Sequence, residues 1–340
     1  MNLCFLDISK GFDKVNISVL LLKLMSRGVP HALINVLHYW YSISMNCVRW
    51  ENVLSAWFNL GAGIRQGGVL SPTLFSLYVD EMLKKCNKRG CLIHGISVCA
   101  LMYADDIVFM SPSVSDLQYL LDLCCHELSL LDLQINPSKS VAIRVGPRFM
   151  NKCIKLSILN VGIPWASEAK YLGIYILSAT KFKCSFEKTK AKFYRAANSI
   201  LAKVGNNDNK PITLKLIFSI ALPVLTYALE ALSLSKLDLL VLEHPWTRMF
   251  EKIFKTFDKE VVKQCQMRTG YLTVLNYYIL KSISFFKKMS LSTNVVISTI
   301  AKCSGFDDVH KIADKLNCRV EDITNNNYLN LIYTYSDSLN

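Results

Sequence analysis

The chain has 340 residues, 51% hydrophobic and 19% charged, which excludes a disordered polypeptide and allows two or three structural units with sizeable cores. Its 39 Lys and Arg against 26 Asp and Glu leave a net charge of +13 and point to a polyanionic partner. That charge is uneven, +4 over residues 1–180 and +9 over residues 181–340.

No basic stretch followed by an apolar run and a small-residue cleavage site is visible, so a nuclear or cytoplasmic rather than secreted protein is expected. In that setting the twelve cysteines are expected to be reduced, and no Cys-x-x-Cys pair suggests a metal site.

In chain order, MNLCFLDIS reads as a short buried strand ending at Asp7, and Val15 to Met25 as an amphipathic helix. Tyr39 to Phe58, rich in Tyr, Trp, Val and Phe, reads as one or two strands with a turn near Glu51-Asn52. A glycine-dense loop, GAGIRQGG, follows. Then Ser71 suits a helix N-cap, Pro72 the first helical position, and Gly90 a stop after Lys84, Lys85, Lys88 and Arg89.

Residues 102–110, MYADDIVFM, place two adjacent carboxylates inside an apolar, strand-forming run. Flanking strands make this a hairpin with the acids at its tip. Asp is a common turn residue because its side chain bonds nearby backbone; alternatively, Asp105 and Asp106 present oxygens to a hard metal ion. On this stretch alone both readings stay open. Ser113 then caps a helix reaching about Leu131.

This order predicts an α+β unit, an antiparallel sheet with helices on one face, up to a boundary near Lys181. Beyond it the pattern is almost wholly helical, with GNNDNKP (205–211) as a loop. LIFSIALPVLTYAL (216–229) is shorter than the roughly 20 residues of a membrane-spanning helix and contains Pro223, so a core helix bent or broken there is expected, with no membrane partner.

Read together, FLDISKGFDKV, GIRQGGVLSPTLF, YADD, INPSKS and KYLGI resemble, in order and spacing, the palm motifs of reverse transcriptases, particularly those of non-long-terminal-repeat (LINE-like) retrotransposons. The resemblance covers about residues 3–176, and PVLTYALEAL (223–232) is similar to the thumb of the same elements. It implies a palm over residues 1–180, a helical thumb and connection over 181–300 and a weakly ordered tail over 301–340. Members carry a fingers subdomain ahead of the palm; only six residues precede Asp7, so an N-terminally truncated palm that extends primers poorly is expected.

The implied activity is RNA-directed DNA polymerisation, adding deoxynucleoside triphosphates to a DNA primer on an RNA template, with two Mg²⁺ ions or Mn²⁺ in their place. By resemblance Asp7 and Asp105 are the principal metal ligands, Ile8 lends a backbone carbonyl and Asp106 is a supporting acid; capping of the following turn is the plainer role for Asp7. Phe12 would sit under the incoming sugar and exclude a 2′-hydroxyl, or be a core aromatic, while Asp13 fixes the local turn. Gln66 would contact template and nucleotide, Arg65 a phosphate, and Gly67 would allow close backbone approach, although each also suits a solvated loop.

Lys139 would protonate the departing pyrophosphate, or stand as a solvated turn lysine. Leu172 and Gly173 would form the hairpin that grips the primer end. Lys188, Lys192 and Arg195, at helical spacing, would line the primer–template backbone or form an ordinary solvated face. The rival to an enzyme is a catalytically inactive nucleic-acid-binding remnant; an intron-encoded or telomere-extending relative fits PVLTYALEAL less well.

Overall fold

The computed structural model describes residues 1–303 except 87, 88, 94 and 206–208; Lys88, part of the 205–211 loop and all but the start of the expected 301–340 tail lie outside the described residues. The chain divides into two compact units, Met1–Cys184 and a second starting at Ser185.

The first unit is built on a four-stranded antiparallel sheet. Strand β1 (Asn2–Asp7) is buried along nearly its whole length, as a central strand covered on both faces must be. Helix α1 (Ile17–Ser26) follows, its first turn capped by Asn16 Oδ1 accepting from Val19 N at 3.2 Å.

Helix α2 (His31–Ile43) takes the first part of the segment expected to be strand. The aromatic composition is overridden there by a helical stripe: Ile34, Leu37 and Tyr41, at spacings of three and four, pack on the core. Only four two-residue strands remain of the expected pair, β2 (Met45–Asn46), β3 (Arg49–Trp50), β4 (Val53–Leu54) and β5 (Phe58–Asn59), nested around the Glu51-Asn52 turn.

Helix α3 (Ser71–Cys86) buries Phe75, Tyr78, Val79 and Met82. Ser71 is its first residue rather than its cap, and its hydroxyl donates to the Arg65 carbonyl at 2.5 Å, tying the helix start to the glycine loop. After the short pair β6 (Cys91–Ile93) and β7 (Ile96–Val98) come β8 (Ala100–Tyr103) and β9 (Asp106–Ser111), the expected hairpin. Helix α4 (Val114–Ser129) begins at Ser113, whose hydroxyl accepts from Asp116 N.

Strand β10 (Val141–Arg144) completes the sheet, in the order β10-β1-β9-β8. Cys4, Leu6 and Ile8 share one hydrophobic core with Phe75, Tyr78, Leu120 and Leu121, so α3 and α4 pack on one face. Each fully buried large side chain there contributes roughly 1.5–3 kcal/mol. Phe5 points the other way, onto Tyr171 at 5.5 Å between ring centroids. The unit continues through β11 (Leu156–Ile158), β12 (Val161–Ile163) and the hairpin of β13 (Glu168–Tyr171) and β14 (Ile174–Leu177).

The second unit is helical over its described residues: α5 (Glu187–Val204), α6 (Lys210–Leu216), α7 (Leu222–Leu225), α8 (Lys236–Phe254), α9 (Lys259–Arg268), α10 (Val274–Ser290) and α11 (Val295–Cys303). The stretch Lys210–Ala231 is long and apolar enough to cross a membrane by length and composition. Ile217, Ala221, Leu222, Leu225 and Leu229 are nevertheless buried within the unit, as a core helix requires. Its break is a π-helical turn at Ile217–Ala221, just ahead of Pro223, where the proline ring would crowd the carbonyl four residues back.

Candidate active site

Strand register brings the acids together. Asp7, the last residue of β1, lies directly opposite Asp106, the first of β9, so two carboxylates 99 positions apart share one end and one face of the sheet. Asp105 stands in the turn between β8 and β9. Ala104 beside it has a φ of +52°, a left-handed conformation that alanine adopts at a cost of about 1–2 kcal/mol.

Backbone hydrogen bonds stitch the strand ends: Ile8 N donates to the Asp105 carbonyl at 3.2 Å, and the Asp7 carbonyl accepts from Asn136 N at 2.8 Å. The acid aligned with Asp7 is thus Asp106, whereas Asp105 meets the strand through its main chain.

The INPSKS turn is organised by Asn136, whose side-chain oxygen accepts from Ser138 N and Ser138 Oγ and whose carbonyl accepts from Lys139 N and Ser140 Oγ. That turn delivers Lys139, whose Nζ is 3.3 Å from Asp7 Oδ2. Burial pushes the Asp106 carboxyl above the usual carboxylate range; Asp105 and Asp7 push it further, while Lys170 and Lys139 oppose the rise. Burial and Asp106 together raise the Tyr171 phenol.

Among the described residues no three His, Cys, Asp or Glu side chains converge closely enough to hold an ion, and Asp7 is engaged by Lys139. The donor chemistry nonetheless fits a hard divalent cation: carboxylate and carbonyl oxygens only, with mutually repelling acids that a cation would relieve.

The glycine loop is fastened beside this end of the sheet. Ile64 N donates to the Phe12 carbonyl and Gly63 N to the Val15 carbonyl, each at 2.8 Å, and Gln66 Nε2 donates to Asp13 Oδ1 at 3.0 Å. Gly63 has a φ of +98°, and a Cβ there would lie 2.8 Å from the Asp13 carbonyl oxygen, so glycine is required for the loop to close on the 12–14 turn. Asp13 therefore holds Gln66 as well as its own turn.

Phe12 is half-buried and stacked on Phe75 at 4.7 Å, so one face of its ring is core, as the plainer reading anticipates. Arg65 and Gly67 are exposed, and Gly67 takes a φ of +79°. Leu172 and Gly173, both with positive φ, form the two-residue turn between β13 and β14. In the second unit Lys188, Lys192 and Arg195 lie on the exposed face of α5, opposite the buried Phe193, Ala197 and Ile200.

Three contributors escape sequence reasoning. Lys170 acts on Asp106 from the β13 hairpin, and Tyr171 beside it is itself raised by Asp106; both stand inside the KYLGI motif, which is the signal that could have found them. Asn136 shapes the lysine turn, and the Asn-Pro-Ser sequence is its turn signature.

An antiparallel sheet with helices on one face and paired acids at one end is the arrangement expected of a polymerase palm. The reverse transcriptase (RNA-dependent DNA polymerase) family matches residues 2–176, just over half the chain, and the chain belongs to that family. The Pol polyprotein from the type-2 retrotransposable element R2DM of Drosophila melanogaster is 27% identical over 189 residues, covering 53% of this chain and 18% of that protein. The RNA-directed DNA polymerase from the mobile element jockey of Drosophila funebris is 28% identical over 186 residues, covering 53% and 20%. The chain thus spans about a fifth of the length of these retrotransposon relatives. Apo telomerase from Candida tropicalis is similar in structure over 88% of this chain and 52% of its own, with 14% identity and a TM-score of 0.44.

Proposed function

We propose that residues 1–180 act as the palm of a retrotransposon RNA-directed DNA polymerase, which adds deoxynucleotides to a DNA primer on an RNA template, with the helical unit over 181–300 as thumb. The observation that carries this reading is the register of Asp7 against Asp106 with Asp105 in the adjoining turn. Asp7, Asp105, Asp106 and the Ile8 carbonyl would hold two Mg²⁺ ions, or Mn²⁺ in their place, which when bound stabilise the attacking and leaving oxygens of an in-line displacement at phosphorus.

The chain's own residues orient the reactants. Phe12, braced from behind by Phe75, offers its other ring face to the deoxyribose, where a 2′-hydroxyl would clash. Gln66, fixed by Asp13, contacts the template and nucleotide, while Arg65 meets a phosphate and Gly67 admits close approach of the strand. Lys139 holds a proton for the departing pyrophosphate, help that is typically worth 10²–10⁴-fold. The Leu172-Gly173 turn supports the primer end. Lys188, Lys192 and Arg195 attract the duplex backbone without reading sequence.

The test is the purified chain with an RNA template, a DNA primer and deoxynucleotides, beside Mn²⁺ binding measured by water-proton relaxation. Asp105→Ala is expected to remove both the low Mg²⁺-dependent extension of this chain and its tight Mn²⁺ binding, and Phe12→Ala to raise the use of ribonucleotides relative to deoxynucleotides. Replacing Lys188, Lys192 and Arg195 by Ala should flatten the slope of log affinity against log salt by roughly 2–3. Extension and Mn²⁺ binding that are both indifferent to Asp105→Ala would overturn the proposal.

A further inference from the structure

A cavity of about 770 Å³ opens in the first unit at the end of the sheet opposite the acids. Arg144, the last residue of β10, is the register partner of Asn2, five residues along β1 from Asp7, which puts roughly 17 Å between the two ends at about 3.4 Å per residue. The cavity is therefore separate from the carboxylate centre.

Its wall is pre-formed around Arg144. The guanidinium donates from Nε to Asn2 Oδ1 at 2.8 Å and from Nη1 to the carbonyls of Arg148 and Asn151, touches Cys153 Sγ through Nη2, and lies 5.3 Å from the centre of the Trp165 ring. Every one of these partners is formally neutral. Among the described residues the fixed positive charge is thus held in place without a carboxylate partner, which leaves a field inside the cavity that favours an anion.

Trp165 is equally well anchored. Its neighbours extend the sheet, with Ala142 N donating to the Pro164 carbonyl at 3.0 Å and Ala166 N to the Ala142 carbonyl at 2.8 Å, and its own Nε1 donates to the Ile154 carbonyl at 3.1 Å. Phe149 and Met150 add apolar surface, and the exposed Lys152 and Lys155 stand in the lining without a carboxylate partner among the described residues. Among the described residues the cavity lining contains no Asp or Glu.

An indole, apolar flanks and three cations with no acid match one class of ligand, a flat base carrying phosphate. We propose that this cavity is a second nucleic-acid site, in which a base of a single-stranded segment packs against Trp165 while adjacent phosphates meet Lys152 and Lys155. Stacking on aromatic rings together with phosphate attraction holds single strands with little regard to sequence. Two lysines in the lining, three positions apart in the chain, offer one contact to each of two successive phosphates of a strand. At its distance from the acids, such a site would steady a strand away from the point of synthesis; its occupancy does not depend on the polymerase reading.

The experiment uses the full chain and a fluorescently labelled eight-nucleotide oligoadenylate, with affinity read by anisotropy across a salt series and stacking by quenching of tryptophan emission. Lys152→Ala with Lys155→Ala is expected to weaken binding about tenfold near 0.1 M salt and to lower the salt slope by about 1.4, two single-strand phosphate contacts. Trp165→Phe should remove most of the quenching while anisotropy still reports binding.

Lys259→Ala with Lys263→Ala, the same charge change on α9, is the control and should leave the quenching unchanged and the affinity within about twofold. Equal losses in the control and the cavity pair would overturn the proposal, as would quenching that survives Trp165→Phe. Adenosine triphosphate binding as tightly as the oligonucleotide, with the same quenching, would replace the strand with a mononucleotide and overturn it too.

Discussion

Asp106 in the first unit and Glu243 in the second are both carboxyls whose protonation is favoured by burial, and their surroundings then diverge. Glu243, on α8, is met by neutral donors from α9 and the start of α10: Val274 N donates to its Oε2 at 2.7 Å, and the Val274 amide, the Gln266 side chain and the Leu275 amide pull its protonation range back down. Asp106 is met by two more acids, Asp105 and Asp7, which push its range further up. A structural acid is met by donors that offset part of the cost of its burial. An acid that the fold leaves among like charges is waiting for a cation, and such frustration concentrates where chemistry is done.

The largest expected break in this contrast comes from Asp7→Asn. Removing one of the clustered acids should cut extension by on the order of 10²–10³-fold or more, a loss typical of deleting one preorganised charge-stabilising group. The folded chain should change in stability by less than about 1 kcal/mol, because the repulsion with Asp106 disappears together with the partly exposed ion pair to Lys139. Primer extension and urea melts of the same variant check the two halves of this statement, and a strongly destabilised Asp7→Asn would make Asp7 a structural acid like Glu243.

Next in size is Lys139→Ala, which removes the ammonium 3.3 Å from Asp7. The rate should fall about 10²-fold, the low end for a lost proton donor, whereas Mn²⁺ should bind at least as tightly, since the carboxylate is freed from its ion pair. A rate and a Mn²⁺ affinity that fall together would reduce Lys139 to an organiser of the site.

Much of this arrangement is legible in the sequence where local chemistry and the tertiary result agree. β1 ends at Asp7, Ser113 caps α4, and the YADD hairpin turns where its acids stand. What escapes is decided by contacts far along the chain. Tyr39 to Ile43 has strand-forming residues, but the packing of Ile34, Leu37 and Tyr41 on the core selects helix. Ser71 has a capping side chain, but the Arg65 carbonyl claims it.

The alignment of Asp7 with Asp106 rather than Asp105 is a matter of register, which neither strand encodes alone. Glu243 is the hardest to read. Nothing in LVLEHPW distinguishes a buried, helix-capping glutamate from a surface one, because its partners lie some twenty to thirty residues away on α9 and α10.

That glutamate supplies the smallest and most diagnostic effect. Its raised range means that, between the ordinary carboxylate range and its own, the folded chain holds more protons than the unfolded chain, so the Glu243 contribution to stability improves as pH falls and worsens as pH rises. Above that window the full cost of burying the charge is present. Glu243→Gln keeps an oxygen for Val274 N and removes the charge, so it should stabilise the chain at pH 8 and lose that advantage progressively toward pH 4. The gain should not exceed about 1 kcal/mol, because a charge-assisted hydrogen bond is exchanged for a neutral one. Urea melts of both proteins at pH 4, 6 and 8 measure the difference. A variant less stable than the parent at pH 8 and equal to it at pH 4 would mean that the α10 amides more than offset burial, and the two acids would then differ in the sign of their strain as well as in its source.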